Sequence, residues 1–353
     1  MSKLLYLIAL NKSNISKKTI AKLLKRWPDI ELMFQLSQAE LEQAGVPSVL
    51  AQTIANFDLK QTDEDLEWLA ASKDHHILSK EHEAYPALLK EIADPPIIMY
   101  AKGDLSALKQ ATLAIVGSRN PSITGSENAR SFAKEIASYG VTIVSGLALG
   151  IDAQAHIGCL EAPEKTVAVL GTGIDTIYPR RHNYLAQQIT ENGLLISEFP
   201  LKSPPIALHF PLRNRIISGI SLCTLVIEAA IKSGSLITAR LALEQNRDVL
   251  AIPGSIHNPV ARGCHYLLQQ GAKLVTSVAD VLDELRIEHI PQAIKKSPAQ
   301  KKSNLIRYIG HEITSIDQII LRSGLAVEQV LSELAMLEMD GSVAMVPGGY
   351  MLC

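Results

Sequence analysis

The chain has 353 residues, of which 47% are hydrophobic and 20% charged, so it can bury a large core and form two or three domains. Its formal net charge of −2 excludes a uniformly basic protein, so any nucleic-acid site must be a local basic cluster. The longest apolar runs are strand-sized and the N-terminus lacks a signal-type cleavage site, which predicts a cytoplasmic protein with no transmembrane helix and no membrane partner.

The first 70 or so residues are predicted to be helical, because apolar residues recur there at three- and four-residue spacing. The expected helices cover residues 17–27, 32–35, 37–44 and 48–56. Ser37 and Glu40 have the spacing of a capping box. Residues 41–55, with Gly45 between two helical patterns, resemble the helix-hairpin-helix units that grip DNA backbones, but a glycine there is also typical of a helix C-cap.

Residues 112–285 alternate short β-branched runs with helical patterns, which predicts an α/β fold with a doubly wound parallel sheet. The expected strands cover residues 113–116, 142–144, 166–170, 194–196, 223–227, 249–252 and 273–275. In such sheets, ligands bind outside the carboxyl ends of the strands. The loops that should converge there start at Gly117, Ser145, Gly171, Ser197, Glu228 and Pro253.

The composition of residues 290–303 predicts a linker, and a small domain follows. Helical patterns at 304–309, 315–323 and 326–339 precede a predicted hairpin at 341–352, which is the order of a winged helix. The helix in the recognition position carries acidic residues and no arginine. This favours protein docking or an architectural role over duplex reading. The acidic residues are Glu328, Glu333, Glu338 and Asp340.

Two turns have the composition of phosphate sites. Gly117-Ser118-Arg119 ends the first expected strand, just before a helix predicted to begin near Ser122, so its amides and its arginine favour an anion. Ser233-Gly234-Ser235, which follows Glu228 and Lys232, predicts a second anion nest at a helix start. A tight turn with a solvated arginine is the alternative for the first turn.

The glycine-rich stretch 145–152 does not favour a nicotinamide cofactor, because its spacing differs from the dinucleotide fingerprint and no acidic residue ends the next strand. Asp152 and His156 lie four residues apart, which is compatible with metal ligation or acid–base chemistry but more typical of a structural pair. The four cysteines are scattered and predict buried thiols instead of a zinc site. We expect neither a metal nor a cofactor.

Two segments combine aromatic and basic residues. Gly171-Thr172-Gly173 precedes Tyr178-Pro179-Arg180-Arg181, and a predicted loop over 209–215 contains Phe210 and two arginines. Binding of a single strand needs cations along the backbone and a ring against which a base can lie. The alternatives are a glycine turn beside a buried tyrosine in the first segment, and a core-capping Phe210 with an ion-paired Arg213 in the second.

Together these segments resemble the DprA/Smf family of DNA-processing proteins, over about residues 77–275. The resemblance is carried by the Gly-Ser-Arg turn, Ser145-Gly146 through Gly150-Ile151-Asp152 to His156, Gly171-x-Gly173 with Tyr178-Pro179, Ser197-Glu198-x-Pro200, Phe210-Pro-x-Arg-Asn-Arg, and Glu228 with Ser233-Gly234-Ser235 through Pro253-Gly254. It implies an extended Rossmann-like domain that binds single-stranded DNA without cleaving it. It also implies a homodimer that displaces single-strand-binding protein and promotes loading of the RecA recombinase during natural transformation.

The resemblance also implies a domain layout and a set of DNA-binding residues. The layout is a helical domain at 1–75, the Rossmann-like domain at 76–289, a linker at 290–303 and a winged-helix-like domain at 304–353. Arg119, Arg213 and Arg215 are assigned to phosphates and Phe210 to a base, while Gly146, Ser233, Gly234 and Ser235 offer amides or hydroxyls. The remaining implied residues are Gly117, Ser118, Ser145, Ala148, Gly150, Gly171, Gly173, Lys202 and Asn214.

Two departures bear on this transfer. Where many relatives have Gly-Cys-Asn this chain has Gly263-Cys264-His265, and Lys202 is only a candidate for the basic residue that relatives place before the Phe-Pro segment. The alternative function is an enzyme similar to nucleotide phosphoribohydrolases, with Glu228 as its glutamate. However, the usual Gly-Gly-x-Gly-Thr-x-x-Glu string is missing. A regulatory adaptor, with the C-terminal domain as its docking module, is a third interpretation.

Overall fold

The computed structural model describes residues 2–13, 15, 17–162, 164–288, 304–310 and 312–352. The chain divides into two compact units, residues 1–289 and residues 290–353. The predicted linker at 290–303 lies outside the described residues. Within the described ranges, no helix has the length and apolar character needed to cross a membrane.

Helices make up the described N-terminal region. They are α1 (Ser2–Lys12), α2 (Lys17–Arg26), α3 (Ile30–Gln35), α4 (Gln38–Gln43), α5 (Ser48–Ala55) and α6 (Asp63–Ala70). The capping box is confirmed, since Ser37 Oγ accepts from the Glu40 amide while the Glu40 carboxylate accepts from the Ser37 amide at 2.7 Å. Spacing does not predict α1, because its apolar run is continuous and Leu7, Ile8 and Leu10 are all buried.

The N-terminal helices and the sheet share a hydrophobic core. Ile8, Ile20 and Leu41 belong to the same buried cluster as Tyr100 and Leu195 of the sheet. A polar contact adds to this packing, because the Tyr100 hydroxyl donates to the Asp65 carboxylate at 2.6 Å and Lys12 pairs with the same carboxylate. A domain boundary at residue 75 stays a prediction.

Nine strands of the described chain form one sheet. They are β1 (His75–Ser79), β2 (Ile98–Gly103), β3 (Thr112–Gly117), β4 (Thr142–Ser145), β5 (Thr166–Leu170), β6 (Leu194–Ser197), β7 (Cys223–Ile227), β8 (Asp248–Ala251) and β9 (Lys273–Leu274), in the spatial order β1-β2-β6-β5-β4-β3-β7-β8-β9. The predicted doubly wound parallel sheet is confirmed over β3 to β9. The sequence patterns do not predict β1 and β2, which add an antiparallel edge to β6.

The helices of this region are α7 (Ala87–Lys90), α8 (Ile123–Ala137), α9 (Ile151–Leu160), α10 (Asn183–Asn192), α11 (His209–Gly219), α12 (Gly234–Glu244), α13 (Arg262–Gln269) and α14 (Val278–Glu284). Helices α7 to α13 lie between the strands in sequence, and α14 follows β9. The predicted loop at 209–215 is wrong, because these residues form the first turns of α11. Pro211 is compatible with the first turn of a helix, where amides have no intrahelical acceptor.

The strand order creates a crevice between β3 and β7. From β3 the chain builds β4, β5 and β6 on one side, then returns to place β7, β8 and β9 on the other. Helices after β3 and after β7 therefore leave in opposite directions from adjacent carboxyl ends. This switch point positions the candidate site.

The C-terminal unit has the predicted order of three helices and a hairpin. A 3₁₀ helix (Asn304–Tyr308) precedes α15 (Ile316–Ser323) and α16 (Val327–Met339), and the hairpin consists of β10 (Val343–Val346) and β11 (Gly349–Leu352). Ile319, Val330, Leu334 and Tyr350 are among the residues of its buried core.

Candidate nucleic-acid interface

A cleft of about 680 Å³ opens at the switch point. It brings together ten of the residues named from the sequence: Gly117, Ser118, Arg119, Ala148, Phe210, Arg213, Asn214, Ser233, Gly234 and Ser235. The others do not line it: Ser145, Gly146, Gly150, Gly171, Gly173, Lys202 and Arg215. Tyr178 and Lys232 line the cleft but were not in the predicted set.

The Gly-Ser-Arg turn is fixed from both sides. The Ser118 amide donates to the Glu228 carbonyl at 2.7 Å, and the Ser118 carbonyl accepts from the Ile151 amide at 3.1 Å. A Cβ on Gly117 would lie 2.0 Å from the Ile227 carbonyl oxygen, so only glycine allows these strand ends to approach this closely. The turn therefore holds Arg119 at the mouth of the cleft, where it is exposed.

Asp152 braces the loop between β4 and α9. Its carboxylate accepts from the Gly146 amide at 3.0 Å and from the Ala148 amide at 3.4 Å. Burial raises the pKa of Asp152, while the charge of Arg213 and these amides act in the opposite direction. The expectation that the Gly146 amide serves an external phosphate is therefore not supported, because that amide has a partner within the protein.

Arg213 and Arg215 are buried, contrary to the expectation that both reach phosphates. Arg213 is 3% exposed, and its Nη1 donates to the carbonyls of Gly146 (2.6 Å) and Val169. Arg215 is 8% exposed and its Nη2 pairs with both carboxylate oxygens of Glu198 at 2.5 and 2.7 Å. Arg213 Nη1 and Arg215 Nη2 therefore hold loops and strands together. Among the described residues, Nε and Nη1 of Arg215 are buried without a hydrogen-bond partner, and burial keeps them from a ligand in the cleft.

An aromatic pair forms one wall of the cleft. The rings of Tyr178 and Phe210 lie 5.5 Å apart, and the Arg119 guanidinium carbon is 5.9 Å from the Phe210 ring centre. Gly171 makes room for this arrangement, since a Cβ there would lie 2.8 Å from the Phe210 ring. Tyr178 is 46% exposed, so its ring is accessible to a planar ligand.

The start of α12 also lines the cleft. Ser233 is the N-cap of the helix: its Oγ accepts from the Ser235 amide at 3.3 Å and lies 2.6 Å from the Ser235 hydroxyl. Gly234 is exposed, and a Cβ there would meet nothing within 4 Å. Lys232 is also exposed beside this turn. A helix N-terminus with an adjacent cation is suited to bind an anion.

Lys202 does not lie in the cleft. Its Nζ pairs with Glu64 in the first turn of α6, which raises the pKa of the lysine and lowers that of the carboxyl, and its amide donates to Asp175 at 2.9 Å. The Lys202 backbone packs closely against Gly173, and only glycine allows this approach, since a Cβ at position 173 would lie 2.9 Å from the Lys202 amide nitrogen. The lysine at the cleft is Lys232, and its position directly before the Ser-Gly-Ser helix start is the sequence signal for it.

Glu228 ties three elements together at the end of β7. Its carboxylate accepts from the Ser122 amide at 2.8 Å, the Ser122 hydroxyl at 2.5 Å and Asn258 Nδ2 at 3.3 Å. Ser122 in turn caps α8, with its Oγ accepting from the Gly125 amide at 3.0 Å. Glu228 therefore fixes the N-terminus of α8 beside the Gly-Ser-Arg turn.

Other titratable groups of the sheet are buried and serve the fold. Burial raises the pKa of the Cys159, Cys223 and Cys264 thiols to about 12, 12 and 11. Burial lowers the pKa of His156 to about 3, and its Nδ1 lies 2.7 Å from the Thr166 hydroxyl, so it does not pair with Asp152. The described residues contain no group of three or more His, Cys, Asp or Glu that could hold a metal ion.

Comparison with solved structures supports the fold. A structure of DNA processing protein A from Streptococcus pneumoniae has a TM-score of 0.70 and 36% identity, covering 80% of this chain and 97% of that chain. A structure of DNA processing protein A from Helicobacter pylori, reported for its single-stranded DNA binding mode, has a TM-score of 0.55 and 29% identity. It covers 60% of this chain and 95% of that chain.

Sequence comparison gives the same result. Protein Smf of Escherichia coli K12 is 44% identical over 321 residues, covering 88% of this chain and 86% of its own length. The family model for DNA recombination-mediator protein A matches residues 76–286, and that for the DprA winged helix domain matches residues 291–349. The chain therefore belongs to the DprA/Smf family of DNA recombination-mediator proteins.

Proposed function

We propose that the cleft between β3 and β7 binds single-stranded DNA and does not cleave it. The observation that carries this proposal is that one open cleft is lined by the exposed Arg119, the Tyr178–Phe210 ring pair and the start of α12. The relative from Helicobacter pylori, whose structure concerns single-stranded DNA binding, supports the same ligand class.

The two walls suit different parts of a nucleotide. Rings stack on any base with little sequence preference, while Arg119, Lys232 and the Ser233–Ser235 turn suit phosphates. A base in a duplex is covered by its stacked neighbours and by its pairing partner. We therefore expect binding to single strands to exceed binding to duplexes of the same length.

The test is binding of fluorescent oligo-dT across a salt series. Arg119→Ala should weaken binding and reduce the slope of log affinity against log salt by about 0.7, the value for one phosphate contact on a single strand. Tyr178→Ala should weaken binding by about 1–3 kcal/mol while leaving the salt slope unchanged, because a ring contributes stacking and no charge.

Arg130→Ala is the matched control. Arg130 is a half-exposed arginine on α8 that pairs with Glu161 and does not line the cleft. Its removal should leave affinity and salt slope as in the wild type. If the wild type does not bind oligo-dT at low salt, or if Arg130→Ala and Arg119→Ala behave alike, the cleft is not the DNA site.

We further propose that the bound strand is handed to RecA, that the protein displaces single-strand-binding protein, and that it acts as a homodimer in natural transformation. Family membership supports these roles. The assay is RecA ATPase activity on a single strand pre-coated with single-strand-binding protein. The wild-type protein should shorten the lag before RecA ATPase activity begins, and the Arg119→Ala variant should not. Sedimentation analysis of the DNA-free protein tests whether it is a homodimer.

The alternative is a nucleotide phosphoribohydrolase-like enzyme that uses Glu228. The carboxylate of Glu228 accepts three hydrogen bonds from Ser122 and Asn258, which favours a structural role for it. Incubation with AMP decides between the two functions. Release of adenine that is lost in Glu228→Gln would replace the binding proposal with the enzyme.

A further inference from the structure

Helix α16 of the C-terminal unit has two apolar sides. Val330, Leu334 and Leu337 are buried in the core of the unit. Val327, Leu331 and Met339 are 51%, 45% and 90% exposed. Together with the exposed Ala335 they recur every four residues and form a stripe about 18 Å long. We call these four residues the α16 stripe.

Acidic residues surround this stripe. Every ionisable residue of α16 is a glutamate, and Glu328 and Glu338 are exposed, as is Asp340 directly after the helix. Residues 304–352 as a whole contain two arginines, no lysine and six carboxylates. The potential at the stripe is therefore negative, although α16 occupies the position that reads DNA in other winged helices.

The charges exclude three kinds of occupant. Phosphates of duplex DNA and anionic lipid headgroups are repelled by carboxylates and find no lysine or arginine on the helix. A second copy placed by a two-fold axis would bring the glutamates of one α16 against those of the other. An apolar stripe with an acidic border is complementary to an apolar stripe with a basic border.

We propose that the α16 stripe docks an amphipathic helix of a partner protein, with apolar residues on one side and lysines or arginines flanking them. Helix-to-helix packing of this kind uses side chains at three- and four-residue spacing, which the stripe provides. The apolar contacts supply affinity, and Glu328 and Glu338 supply selection for a basic partner. None of the residues that line the DNA cleft belongs to this surface.

The test uses the full chain, free of DNA, and a fluorescein-labelled synthetic helical peptide with leucines at four-residue spacing flanked by lysines. The wild type should bind the peptide, and added salt should weaken binding. The double variant Leu331→Ser/Met339→Ser should weaken binding by about tenfold. Glu328→Gln/Glu338→Gln should reduce the dependence on salt.

Two controls distinguish docking at the α16 stripe from non-specific binding of the peptide. Val49→Ser removes an exposed apolar side chain from α5 in the other unit and should leave binding unchanged. A peptide with every lysine replaced by glutamate should not bind. Circular dichroism melting of the Leu331→Ser/Met339→Ser variant should stay close to that of the wild type, because neither side chain belongs to the buried core of the unit.

Three results would overturn the proposal. The first is equal peptide binding by wild type and Leu331→Ser/Met339→Ser. The second is sedimentation showing self-association of the wild type that this variant abolishes, which would make a second copy the occupant. The third is competition by duplex DNA for the peptide, lost in the same variant, which would make α16 a DNA reader.

Discussion

Arg119 and Arg213 line the same cleft, yet only Arg119 presents its guanidinium to solvent. Arg213 donates hydrogen bonds to the carbonyls of Gly146 and Val169 and to Asn214 Oδ1, and its charge interacts with the buried Asp152 carboxylate. Burial lowers the pKa of Arg213 to about 10, so the residue stays charged at neutral pH. One arginine is therefore suited to the ligand and the other to the architecture of the loops.

This difference predicts different consequences of two alanine substitutions. Arg213→Ala should destabilise the protein by about 3–5 kcal/mol, because it leaves the Asp152 charge and two carbonyls buried without their partner. Arg119→Ala should change stability by less than about 0.5 kcal/mol, since its side chain is exposed. Urea unfolding followed by tryptophan fluorescence measures both. Equal stability of the two variants would show that Arg213 is not an internal brace.

At the scale of elements, the start of α8 depends on a residue 106 positions away. Glu228 accepts from Ser122 at the N-cap, and Ser122 caps the helix. Glu228→Gln keeps one acceptor but places an amide donor against the Ser122 donors. We expect a loss of about 1–3 kcal/mol in unfolding free energy, as for a buried donor left without its acceptor. Weaker oligo-dT binding should accompany it, because α8 follows the Gly-Ser-Arg turn.

Glu127→Gln is the matched control for this prediction, since Glu127 is an exposed carboxylate on the same helix. It should change neither stability nor oligo-dT binding. Unchanged stability of Glu228→Gln would mean that the Ser122 cap holds α8 without help from β7.

The elements also show how far the sequence predicts the fold. The parallel strands are predicted because each contains a short apolar run flanked by turn residues. Strands β3 to β8 are largely buried, whereas β9 at the sheet edge is not. Strands β1 and β2 are missed, since His75-His76 and Lys102 interrupt the apolar pattern at the sheet edge. The start of helix α11 is missed because Pro211 and the polar run from Arg213 to Arg215 hide its period.

The candidate site is also predicted only in part from the sequence. The turns at Gly117 and Ser233 are predicted, because glycine and serine at a strand end constrain the backbone locally. Which arginine is free depends on Glu198, Asp152 and carbonyls far away in sequence, so no local pattern separates Arg119 from Arg213. Lys202 is mistaken for the cleft lysine for the same reason, as its partner Glu64 lies in the N-terminal region.

At the scale of the whole molecule, one buried histidine couples stability to pH. His156 is a buried residue of α9 whose Nδ1 lies against the hydroxyl of Thr166 on β5, and within the described part of the chain its Nε2 has no hydrogen-bond partner. Burial lowers its pKa to about 3, against 6.5 for the ordinary side chain. The unfolded chain therefore binds a proton between these values that the folded protein does not bind. Stability is lost as pH falls through that window.

Removal of His156 should therefore flatten the acid side of the stability profile. Between pH 6 and pH 4 the wild type should lose up to about 1.4 kcal/mol per pH unit more than His156→Asn, which keeps a polar group near the Thr166 hydroxyl. Urea unfolding at pH 7.5, 6, 5 and 4 measures the difference. Fluorescence of Trp27 and Trp68 reports on residues 1–289 alone, because the chain has only these two tryptophans. Titrating carboxylates are common to both proteins and cancel in the comparison, so parallel pH profiles would show that His156 is not buried in its neutral form.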